Sequence, residues 1–132
     1  MSVDRERDER FRRGREALEK LMGPGQVGRL DAAYGDVAPE IVDLLLTFAF
    51  GDLYSRPVLV PRERQIATIA ALTALGTAPA QLRSHIGAGL NAGLSREEIV
   101  EVVMQMAVYA GFPAALNGLA AAKEVFAQRD KG

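Results

Sequence analysis

The residue best suited to chemistry in this chain is its single histidine, His85, in the stretch Gln81-Leu-Arg-Ser-His85. Imidazole is the one side chain whose unperturbed pKa suits proton transfer near neutral pH. The chain has no cysteine, so thiol chemistry and disulfides are closed to it. Any other proton chemistry would run through carboxyl, phenol or lysine groups shifted by burial. At helical spacing the neighbours of His85 are Gln81, Leu82, Ala88 and Gly89. Leu82, Ile86 and Leu90 mark the apolar side, which puts His85 at its edge, and Gly87, Ala88 and Gly89 leave room beside the ring. On the residues alone two readings stand: a packed, hydrogen-bonded histidine, and a catalytic one.

Other constellations are weaker. Glu97, Glu98 and Glu101 follow a helix start, but with one histidine and no cysteine they form no recognisable metal-ligand spacing. Their place at a helix N-terminus explains them through capping and the helix dipole, so no metal is expected. Gly23-Pro-Gly25 lacks the lysine and strand context of a phosphate loop, and no G-x-S-x-G nucleophile motif is present. A formal charge of −1 gives no reason to expect nucleic acid or an anionic membrane surface as partner.

The elements that must position His85 read as helix nearly throughout. With 132 residues and 48% apolar content the chain is expected to be one domain, its first ten residues open to fraying. The first helix is expected over Asp4–Met22, with Glu6/Arg10, Asp8/Arg12, Glu9/Arg13 and Glu16/Lys20 at i,i+4 on a solvated face. A short helix follows around Val27–Tyr34. Pro39 opens another, with Ile41, Leu44, Leu45, Phe48 and Ala49 on one face, ending near Gly51 before a loop over Asp52–Pro57. Pro61 opens a helix that Gly76 stops. It carries no charge from Ile66 on and is expected to be buried on most sides. The helix bearing His85 starts near Pro79 and ends at Gly93, and Ser95-Arg-Glu-Glu98 is a capping box for the next. The last runs from Pro113 to about Gln128.

Val102–Ala122 is uncharged and long enough to suggest a membrane span, but Gly111-Phe112-Pro113 cuts it into two helices. No basic segment leads into an apolar leader, so a cytoplasmic protein is expected. Two nearly uncharged helices are a large apolar surface for a domain this small, so the chain is expected to form an obligate homo-oligomer.

Four stretches carry a resemblance: Gly51-Asp-Leu-Tyr-Ser-Arg-Pro57, Gln81-Leu-Arg-Ser-His85, Asn91-Ala-Gly-Leu-Ser-Arg-Glu-Glu-Ile99 and Tyr109-Ala-Gly-Phe-Pro-Ala-Ala115. In this order and spacing, from about Phe11 to Phe126, the sequence resembles the carboxymuconolactone decarboxylase family. That family is the branch of alkylhydroperoxidase-D-like proteins without redox cysteines. The resemblance implies an all-α fold of six to seven helices, assembled as an intertwined hexamer or trimer. It also implies decarboxylation of 4-carboxymuconolactone to the 3-oxoadipate enol-lactone in protocatechuate breakdown. The redox branch has Cys-x-x-Cys ahead of the histidine; here that stretch is Ala78-Pro-Ala-Gln81, which excludes peroxidase chemistry through such a pair. Tyr54 and Ala92 depart from the family's frequent tryptophan and asparagine.

The implied reaction calls for no cofactor. Electrons released as CO2 leaves flow through the ring double bond into the lactone carbonyl, so the substrate is its own electron sink. The protein must hold an anionic lactone, stabilise an enolate oxygen and deliver a proton to the α-carbon. On the resemblance His85 is the proton donor, and Arg83, Arg56 and Arg64 are candidates for the substrate carboxylates. Arg83 is favoured among them because it flanks His85 in the matched motif. Tyr109 is a candidate donor to the enolate oxygen, beside a purely structural reading as a buried tyrosine. Two other readings remain: an enzyme acting on another small lactone or β-keto acid, and a non-catalytic oligomeric binding protein of the same fold.

Overall fold

The computed structural model describes residues 3–132, and among them every regular element is helical. The expected fraying of the first ten residues lies outside the described residues for Met1 and Ser2. From Asp4 to Asp8 the chain forms a turn in which Asp4 O accepts from the Arg7 and Asp8 amides. The chain divides into two compact units at Leu59/Val60.

The first unit holds α1 (Glu9–Met22), α2 (Gln26–Tyr34) and α3 (Pro39–Leu44), the last running on into a π-helical segment, Leu45–Leu53. The first helix begins later than the sequence suggests because Asp8 caps it, its carboxylate accepting from the Arg10 and Phe11 amides at 2.8 and 3.1 Å. Asp8 is therefore committed to the backbone; Arg12 pairs with Glu9 along α1, while Arg5 and Arg10 reach across the unit. Arg10 grips Asp52 at 2.7 Å, and Arg5 bridges Asp31 at 2.7 Å and Asp43 at 2.8 Å. Forked guanidinium geometry favours such bidentate partners over single i,i+4 contacts. The Arg5 fork holds the Asp31 carboxyl below the ordinary range.

Phe11, Leu18 and Leu21 form the buried face of α1, which packs on the π segment where Leu46 and Phe50 are buried. Two glycines permit this approach. A Cβ on Gly14 would lie 1.8 Å from Leu46 O, and one on Gly51 would lie 2.3 Å from Arg10 O. The widened i→i+5 pattern, closed by Tyr54 N–H to Ala49 O at 2.8 Å, carries the chain past Gly51 into the loop with Arg56. The helix after Pro39 thus extends two residues beyond Gly51, to Leu53.

The second unit is α4 (Pro61–Leu75), α5 (Pro79–Asn91), α6 (Arg96–Ala110) and α7 (Phe112–Lys131), with α4 and α7 each packed on the other three. Its core joins Ile69, Ile86, Leu94, Ile99, Val103 and Ala122. Fully burying one aliphatic side chain of that kind contributes roughly 1.5–3 kcal/mol.

The punctuation follows the residues. Glu63 accepts from the Val60 amide at 3.1 Å, the only half of a capping box possible where valine offers no oxygen. Gly76 takes φ +70° and closes α4. Gly93, at φ +99°, closes α5, with Leu94 N–H on Gly89 O at 2.9 Å and the Leu94 side chain buried. The Ser95/Glu98 box forms as expected, its two bonds 3.0 and 2.9 Å. Gly111 at φ +92° separates α6 from α7, so the uncharged run is two helices; among the described residues no helix is long and apolar enough to cross a membrane.

Another expectation also fails within the chain. Helix α4 is not buried on most sides: only Gln65, Ile69 and Thr73, a single i,i+4,i+8 stripe, are buried, and Leu75 is exposed. The absence of charge is a poor guide here: Ile66 and Leu72 are only partly buried against the core, and Ala67, Ala71 and Ala74 are exposed.

Candidate functional site

His85 lies in the middle of α5, flanked in its own helix by buried Leu82 and Ile86, which turn the imidazole toward the seam with α4. There its Nδ1 lies 2.9 Å from Oε1 of Gln65. Gln65 is 0% exposed, whereas His85 is half-buried, so the ring is held at one nitrogen by an inaccessible amide. Desolvation lowers the pKa of His85 from 6.5, favouring the neutral imidazole.

Gln65 escaped the sequence reading, yet a signal was present. It is the one polar uncharged residue that starts the stripe continued by Ile69 and Thr73, a core register in which an amide needs a partner. The space expected beside His85 is filled. Ala88 is buried, a Cβ on Gly89 would meet Ile69 Cδ1 at 3.0 Å, and Gly87 O accepts from Arg129 at 2.9 Å. These small residues serve helix packing.

The remaining candidates are dispersed. Arg83, two residues before His85, points toward α7: its Nε is 3.7 Å from Glu124, and it lines a surface cleft with Ser84, Gly87 and Arg129. Arg64 is half-buried on α4, next to Gln65 in sequence, with its Nε out of solvent. Tyr109, at the end of α6, is 77% exposed, which removes the reading of it as a buried, backbone-bonded tyrosine. Arg56 belongs to the first unit, exposed in the loop after the π segment.

Arg62 pairs with Glu98 across α4 and α6; the Ser95 amide first and the Arg62 guanidinium second lower the Glu98 carboxyl. Both are thereby engaged in structure. Among the described residues no three His, Asp or Glu side chains converge as a metal site would require.

The chain is thus all-α, with one half-buried imidazole held by a buried amide and no thiol. Comparison with known proteins narrows this. The profile of the Carboxymuconolactone decarboxylase family matches residues 39–124. The 4-carboxymuconolactone decarboxylase of Acinetobacter baylyi is 33% identical over 119 residues, 90% of this chain and 88% of that protein. An uncharacterised 15.0 kDa protein of Paracoccus denitrificans is 34% identical over 96 residues, 72% of each chain. The chain belongs to the carboxymuconolactone decarboxylase family.

Proposed function

We propose that this protein is a carboxy-lyase that converts 4-carboxymuconolactone to the 3-oxoadipate enol-lactone in protocatechuate catabolism, with His85 as proton donor. The observation that carries the reading is the His85 imidazole, half-buried and anchored at Nδ1, which leaves Nε2 as the ring nitrogen available to a ligand. It stands in a chain similar to a 4-carboxymuconolactone decarboxylase over 90% of its length. No cofactor is required, because the lactone carbonyl accepts the electrons that CO2 leaves behind.

The bond from the ring γ-carbon to its carboxylate breaks, CO2 departs, and the electron pair passes through the ring alkene to the lactone oxygen. The dienolate then takes the Nε2 proton of the imidazolium at its α-carbon, and solvent reprotonates the ring. A free His85 with a lowered pKa is neutral at pH 7. A bound dicarboxylate reverses this, because nearby negative charge favours the imidazolium, so substrate binding loads the donor.

Counter-charges for the carboxylates come from Arg64 and Arg83, in the unit that holds His85, with Tyr109 as donor to the enolate oxygen. An oligomer, hexameric or trimeric, completes the arrangement. Met104 and Val108 on α6 and Phe112 and Leu116 on α7 are all more than half exposed, at i,i+4 spacing within each helix, as an apolar subunit contact requires.

The test is turnover of 4-carboxymuconolactone, generated in situ from 3-carboxymuconate and followed by NMR, beside His85→Ala. The expected result is enol-lactone from wild type and a 10²–10⁴-fold lower kcat in the variant, about 3–5 kcal/mol of barrier. Full turnover by a folded variant would remove His85 as donor. No turnover by folded wild type would overturn the substrate and turn attention to other lactones or β-keto acids.

A further inference from the structure

We propose that Gln65 sets the tautomer of His85: its Oε1 accepts the Nδ1–H of the ring in both the neutral and the protonated state, so only Nε2 gains and loses a proton. Gln65 is a positioning residue in this scheme. The consequence for turnover rests on the reading of His85 as donor; the tautomer itself does not.

The geometry is specific. Oε1 of Gln65 lies 2.9 Å from Nδ1, and the amide is sealed in the seam between α4 and α5 at 0% exposure. On the same stripe, Ile69 and Thr73 are buried, and Thr73 Oγ1 donates back to Ile69 O at 2.8 Å. The glutamine backbone is therefore fixed by core packing.

The two ends of the amide dictate opposite chemistry. With oxygen at Nδ1, protonating Nε2 leaves the Gln65 bond intact, and the ring cycles between imidazole and imidazolium without moving. With nitrogen at Nδ1, the ring must present a lone pair there, carry its proton on Nε2, and refuse a second one. Only the first arrangement gives a ring that can donate from Nε2 and be reloaded at the same atom.

This arrangement works against stability. Nε2 of Gln65 is buried with no hydrogen-bond partner among the described residues. A buried donor left without a partner is destabilising, a penalty that leucine or methionine at this core position would not carry. The amide is accounted for by the ring it holds.

Because His85 is the only histidine, 15N-histidine labelling reports on one ring without assignment. The experiment is a long-range 1H–15N correlation on the free wild-type protein, above the ring's titration. The expected result is the Nδ1–H tautomer with Nε2 unprotonated, the reverse of the Nε2–H form that free histidine prefers. An Nε2–H ring in wild type would overturn the proposal, since the amide would then be donating. Folded Gln65→Leu is expected to revert to Nε2–H; retention of Nδ1–H there would also overturn it. Gln65→Glu is expected to keep Nδ1–H and raise the ring's titration, as a carboxylate acceptor must; an Nε2–H ring in that variant would refute the acceptor role. No substrate enters these measurements, so their outcome and that of the turnover assay are independent.

Discussion

Replacing Gly14 and Gly28 with alanine, one at a time, should move stability in opposite directions, although both glycines lie in helices of the first unit. At Gly28 an added Cβ meets nothing within 4 Å, so Gly28→Ala keeps only the helix-propensity gain, up to about 1 kcal/mol. At Gly14 the new Cβ would lie 1.8 Å from Leu46 O and 2.7 Å from its carbonyl carbon. Backbone cannot swing aside as a side chain does, so α1 must withdraw from the π segment by more than an ångström. That withdrawal opens the contact that keeps Phe11 1%, Leu18 2% and Leu46 0% exposed. Overpacking typically costs about 1–3 kcal/mol. Partial loss of burial for side chains worth roughly 1.5–3 kcal/mol each adds to it. Against the propensity gain, the net destabilisation is about 2–4 kcal/mol. Urea denaturation followed by far-UV circular dichroism, at one protein concentration, reads this directly. With m of about 2 kcal/mol/M, the Gly14→Ala midpoint falls by roughly 1–2 M while Gly28→Ala holds or rises. A Gly14→Ala protein as stable as wild type would refute the argument that close approach, and not turn chemistry, requires glycine there.

Two further outcomes follow from the same structure. Desolvation lowers the His85 pKa below 6.5, so as pH falls from 6.5 toward the folded value the unfolded chain takes up a proton that the folded ring refuses. Stability therefore drops on acidification through that window, by at most about 1.4 kcal/mol per pH unit, and rises with pH across it. Urea midpoints against pH should show this slope in wild type and lose it in His85→Gln; equal slopes would locate the effect elsewhere. Val108→Glu places a charge on a side chain that is 78% exposed beside Met104 and Tyr109. If that face is a subunit contact, light scattering after size exclusion should show dissociation with helicity retained, and an unchanged mass would remove the face from the interface.

Much of this protein can be read from local chemistry. Proline at the openings of α4 and α5, positive-φ glycines at 76, 93 and 111, and the Ser95/Glu98 box punctuate the helices wherever they stand, because caps and turns depend on a few adjacent residues. The family likeness is legible for a similar reason, since its motifs lie in short contiguous stretches. His85 stood out as the only imidazole.

What tertiary structure decided is what each of these residues faces. Nothing near His85 in sequence names Gln65, twenty residues away, as its partner, because that pairing arises from the register of α5 on α4. The glycine-rich stretch after His85 suits the approach of a small molecule or of another backbone, and it is Ile69 and Arg129 from other helices that pack there. The N-terminal arginines suited i,i+4 pairing, yet bidentate geometry drew Arg5 and Arg10 to Asp31, Asp43 and Asp52 across the first unit. Local energies select helices and their ends; the choice of partner for a buried polar group, made only once helices dock, belongs to packing.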